Sequence, residues 1–113
     1  ISSGLDSLLV QANMESVNVE LNDRYNDLSD PRQFYRRSDH WNFGRLGVPF
    51  IFFFSGVHED YHKPYDEVDK IDFDAFTKRV QLIFTTVATA ANAEERPDVD
   101  NQEFIEITRI LPR

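Results

Sequence analysis

The sequence predicts an α/β domain, on two patterns and their juxtaposition. Val48-Pro49-Phe50-Ile51-Phe52-Phe53-Phe54 is an apolar run without alternation. Such a run suits a strand buried on both faces at the centre of a sheet. Asp72 then precedes Phe73, Phe76, Val80, Ile83, Phe84, Val87, Ala88 and Ala91 at helical spacing. That stripe predicts a helix of about five turns, packed on the run. Between the two, Ser55 to Lys70 is a polar loop leaving the carboxyl end of the strand, where sites of open α/β sheets form.

The remaining elements follow in chain order. Ser3 is placed to cap a helix in which Leu5, Leu8, Leu9 and Ala12 recur at i, i+3, i+4 and i+7, fading near Asn13 to Asn18. Val17 to Leu21 alternate apolar and polar, as in a short half-exposed strand. Asn22 to Arg37 is polar and broken by Ser29, Asp30 and Pro31, a long surface loop pinned by Phe34 and Tyr35. Trp41 to Leu46 suits one or two helical turns ended by Gly47. Pro49 stands at the start of the apolar run, where a missing ladder donor is tolerated. Past Arg96-Pro97 the chain is polar until Phe104, Ile105, Ile107, Ile110 and Leu111.

Composition narrows the function. A chain of 113 residues, 41% hydrophobic and with ten phenylalanines, has enough apolar surface for a modest core and argues against disorder. Its net charge of −8 excludes nucleic acid as a natural partner and disfavours anionic membranes. The absence of cysteine excludes disulfides and thiolate metal sites. No apolar run reaches the length of a membrane span. The first residue is Ile1 and the only methionine is Met14, so a processed product or a piece of a longer chain is expected.

The loop after the run contains His58-Glu59-Asp60-Tyr61-His62, which fits H-E-x-x-H, a zinc-protease signature that works on a helix. Pro64 lies two residues beyond His62, and within a helix it would clash with the Asp60 carbonyl at a cost of ~3 kcal/mol. It also disfavours helical geometry at Lys63. The two histidines are therefore not expected to share a helical face. Yet His58, Glu59, Asp60, His62, Asp66 and Asp69 crowd this loop, and Ser38-Asp39-His40-Trp41 precedes the same run. Imidazole and carboxylate donors of this kind suit zinc or a similar divalent ion. The alternative is that these are ordinary loop residues.

Ser38-Asp39-His40, Phe43, Leu46-Gly47-Val48-Pro49 and Tyr61-His62-Lys63-Pro64 with Asp66 form an ordered set. In that order they resemble the carboxyl-terminal half of a co-catalytic zinc peptidase family. Its members include bacterial leucyl aminopeptidases, glutamate carboxypeptidase and glutaminyl cyclase. The resemblance spans residues 5–97.

It implies an α/β fold, part of a three-layer α/β/α sandwich with a mixed, mostly parallel sheet. Residues 1–96 would then be the carboxyl-terminal part of a catalytic domain and residues 97–113 a tail. It also implies a zinc-dependent exopeptidase, an aminopeptidase cleaving peptide substrates with water activated by two zinc ions. By the same carry-over His62 is a metal ligand, and His58 and Glu59 are neither ligand nor base. Asp39 is a hydrogen-bonding residue near the catalytic centre, Tyr61 a substrate-binding residue, and Asp66 a support for the loop or the imidazole. Nothing before Ser38 resembles the family's other ligands or its general base, so the missing amino-terminal half of the same protein is the implied partner. Two alternatives stand beside this: a non-catalytic peptidase-like binding domain, and the acyltransfer chemistry of glutaminyl cyclase. The second has tryptophan where this chain has Tyr61. Export from a bacterial cell is implied by the resemblance alone.

Overall fold

The computed structural model describes residues 1–108; Ile110 and Leu111 lie outside them. The elements are α1 (Ser3–Glu15), a 3-10 turn (Phe34–Arg36), α2 (His40–Gly44), a second 3-10 turn (Val68–Lys70), α3 (Phe73–Ala91) and α4 (Gln102–Thr108). Among the described residues every regular element is helical. The α/β sandwich with its mixed sheet is therefore not what this chain forms, and neither expected strand is present.

The reason lies in partners rather than in propensity. A strand is stabilised when its N–H and C=O groups pair with a neighbour. Residues 49–57 make no backbone–backbone hydrogen bond among the described residues. The run nevertheless keeps a period of two: the rings of Phe50 and Phe52 both meet His40, and Phe52 stacks at 5.4 Å on Phe54. Residues two apart thus line one side, the geometry of an extended chain. At Val17 to Leu21 the pairing comes from a side chain instead. The Asn13 amide donates to the Val19 carbonyl at 2.7 Å, and its oxygen accepts from the Val19 N–H at 3.0 Å. Asn18, at φ +47°, makes the bend that permits this.

The helices begin where capping chemistry allows. The Ser2 hydroxyl, one residue before the expected cap, accepts from the Leu5 N–H at 3.2 Å and starts α1. The Asp72 carboxylate accepts from the Ala75 N–H at 3.0 Å and starts α3, as its sequence predicts. α1 and α3 pack together, with Ala12, Leu82 and Thr86 buried. The expected packing of the α3 stripe on the apolar run is not seen. Phe73, Phe76, Val80 and Val87 are exposed, and Phe84 is 73% exposed. A buried helix of period 3.6 needs an apolar surface opposite it; α1 offers one narrow face, and the broad stripe exceeds it.

The core gathers on Phe104, which is fully buried. Leu28 and Tyr35 are buried beside it, with Ile1, Trp41, Phe50 and Val99 packed against them. Gly44 lets α2 approach this cluster: a Cβ there would lie 2.4 Å from the Phe50 ring. The Asn101 side chain caps α4 by accepting from the Phe104 N–H at 2.9 Å. Asp100 and Asn101 both donate backbone N–H groups to the Ile1 carbonyl at 3.2 Å. The segment after Pro97 is thereby tied to the start of α1.

That tie is sensitive to acid. The Asp100 carboxylate accepts from the Ser3 hydroxyl and from the Ser3 N–H, the latter at 2.9 Å. These bonds hold its pKa below the ordinary carboxylate value. A carboxylate with a depressed folded pKa stabilises above its unfolded pKa, and the contribution is lost as pH falls through the folded value. Asp100→Asn should therefore lower Tm at neutral pH, with the gap from the parent closing below the carboxylate range. A gap independent of pH would show that the carboxylate charge plays no part.

Candidate functional site

Residues 55–70 leave the apolar run as a chain of turns. Gly56, at φ +96°, redirects the backbone, and no helix spans residues 57–63. The Tyr61 N–H donates to the His58 carbonyl at 3.1 Å, Lys63 to Asp60 at 2.9 Å and Asp66 to Lys63 at 3.2 Å. Pro64, with no amide hydrogen, is compatible with these turns and not with a helix interior. H-E-x-x-H thus lacks the helical scaffold that a one-face pair of histidines requires.

His62 occupies the left-handed region at φ +58°. That conformation is uncommon in any residue but glycine, although asparagine, aspartate and histidine enter it more often than others, and it costs local backbone energy. Its exposed imidazole lies nearly parallel to the Tyr61 ring, with centroids 4.1 Å apart. The Tyr61 ring in turn meets the edge of Phe54 at 6.2 Å. Phe54 packs on Phe34 at 4.5 Å and on Tyr25 at 5.6 Å. A continuous series of rings thus joins the buried loop residue Phe34 to His62.

The other candidates are placed as follows. His58 Nε2 and the Asp66 carboxylate are 3.9 Å apart, both side chains about half exposed. Asp66 thus stands beside His58 rather than beside His62. Asp39 is exposed and precedes α2; its side chain makes no cap hydrogen bond, while its carbonyl accepts from the Asn42 N–H at 3.0 Å. His40 packs into the aromatic series, its ring 4.3 Å from Phe52, and its Nε2 donates to the Phe34 carbonyl at 3.0 Å. A ring nitrogen bound to a carbonyl carries the proton and is closed to a metal. Asp60 and Lys70 form an ion pair at 2.9 Å. This pair has no periodic signature, and only the fold brings its members together.

Zinc needs converging donors, typically three protein ligands at a catalytic ion. Among the described residues no group of three or more His, Asp or Glu side chains is arranged to hold a metal ion. The described donors do not make a complete zinc site. Among the described residues no helix is long and apolar enough to cross a membrane.

The model of one protein family, peptidase family M28, matches residues 2–87. The match takes in both Ser38-Asp39-His40 and Tyr61-His62-Lys63-Pro64. No curated protein and no solved structure matches the chain.

Proposed function

The chain belongs to peptidase family M28, a family of zinc metallopeptidases, and on that premise we propose that it is the carboxyl-terminal part of an exopeptidase, an aminopeptidase. One observation carries this reading: a single family match encloses Ser38-Asp39-His40 and Tyr61-His62-Lys63-Pro64 in order, the second of which holds His62 in a left-handed turn. A strained residue held by its surroundings is a recurrent mark of a functional position. In this reading His62 is the one metal ligand the chain supplies, and Tyr61, stacked on it, borders the bound peptide. Asp39 lends a hydrogen bond at the rim, and Asp66 supports the loop that carries His62. The remaining ligands and the general base belong to an amino-terminal half outside this chain, because the donors here do not complete a site. Zinc is the metal of the proposal, and export the proposed location.

The exposed stripe of α3 and the unpaired backbone of residues 49–57 also support a larger parent protein. Both are surfaces that folding ordinarily covers.

The intact protein should cleave a leucyl anilide with a free amino group. It should leave the N-acetylated form untouched, since an aminopeptidase reads the terminal amine. Equal cleavage of both would remove the exopeptidase assignment. Cleavage of neither, with metal supplied, would favour a binding domain.

A further inference from the structure

We infer that Asp60 and Lys70 form a clasp that keeps His62 in its left-handed conformation, which makes both of them positioning residues. The inference deepens the proposed role of His62 and rests on it for its functional meaning.

His62 is the third residue of a four-residue turn, Asp60 to Lys63, closed by the Lys63 N–H on the Asp60 carbonyl at 2.9 Å. Within that turn only His62 has a positive φ, the pattern of a type II turn. Its third position favours glycine or asparagine, and a histidine there opposes the local preference of the backbone. Something beyond the turn must hold it.

Asp60 is the residue that can. Its carbonyl closes the turn, and its carboxylate accepts from Lys70 Nζ at 2.9 Å. The Asp60 side chain is only 14% exposed, against 45% for Lys70. A surface ion pair ordinarily contributes little. This one differs because removal of Lys70 would leave a largely covered carboxylate unpaired, which the turn can relieve only by moving. Lys70 ends the 3-10 turn that leads into α3, two residues before the Asp72 cap. The clasp therefore fastens a strained turn to the longest helix of the chain. Tyr65, between them, has Lys63 and Lys70 Nζ at 5.9 and 5.8 Å from its ring.

The test uses the intact protein with labelled histidine and reads the Cα and Cβ chemical shifts of His62, which report its backbone conformation. Lys70→Ala and Asp60→Asn should move those shifts, and Lys70→Arg, which keeps the cation, should restore them. Tm should stay near the parent value in all three. A loss of Tm without a local shift at His62 would mean a merely structural pair, and unchanged shifts in Lys70→Ala would overturn the clasp. Where His62 is a ligand, Lys70→Ala should also lower kcat about 10- to 100-fold, the range for partners that orient a ligand, with KM little changed. Moved shifts with unchanged kcat would support the clasp while removing His62 from the site, so the two failures are distinguishable.

Discussion

Replacing His62 by alanine in the intact enzyme should empty one of the two implied metal positions and remove nearly all peptide hydrolysis. His58→Ala should leave both close to the parent. Both residues are histidines of one loop, four positions apart, and a motif match alone would rank them equally. Their surroundings separate them. His62 sits at a positive φ, stacked on Tyr61 and joined through Phe54 to the packed rings of Phe34 and Tyr25. His58 is half exposed and its neighbour Asp66 stands 3.9 Å away, an exposed pairing that contributes little in water. Loss of a ligand should exceed the 10- to 100-fold cost of losing a residue that only orients one. Elemental analysis of the purified variants, with kcat on a free-amine anilide, checks both parts. Equal metal loss from the two would contradict the assignment of His62.

The contrast also shows where local sequence chemistry is legible. Asp72 has the right side chain before an apolar stripe, and α3 starts there because a carboxylate can reach the Ala75 N–H with no help from the rest of the chain. Gly47, at φ +78°, follows α2 for the same local reason. Pro64 forbids a helix through His62 by its own covalent structure. Each of these depends on residues a few positions apart.

The strand and the stripe depended on something else. An apolar run says that side chains avoid water, and Phe50, Phe52 and Phe54 do meet other rings on one side. It does not say that a neighbouring segment is present to take the backbone hydrogen bonds, and among the described residues none does. The α3 stripe likewise signals a face to be covered, without naming the cover. Phe104 illustrates the reverse case. It lies in a polar stretch with no strong pattern, yet it is the centre of the core, placed there by the Asn101 cap and the Asp100 tie to Ser3. Contacts across 97 positions leave no local trace in a sequence. The Asp60–Lys70 pair, joined across turns that follow no regular period, leaves none either.

Residues 1–113 taken alone should hydrolyse no peptide, even with excess zinc, and should bind the metal weakly. The loop supplies one ligand in the proposed assignment, and no three donors among the described residues converge. A catalytic zinc with a single protein ligand lacks the coordination that fixes its position and tunes its water. The chain alone should also associate. Phe73, Phe76, Val80, Phe84 and Val87 expose one side of a 19-residue helix, and residues 49–57 make no backbone–backbone hydrogen bond among the described residues. Apolar faces of that kind drive self-association, which the net charge of −8 opposes without covering the face. Light scattering should therefore report oligomers at concentrations where the intact protein is monodisperse. Phe76→Glu with Phe84→Glu should shift the isolated chain toward monomer without creating activity. Adding the proposed amino-terminal half should restore zinc binding and hydrolysis together, because in that reading the remaining donors and the cover for the exposed face arrive on one chain. Turnover by the 113-residue chain alone, abolished by chelation and by His62→Ala, would show that its own loop assembles a complete site.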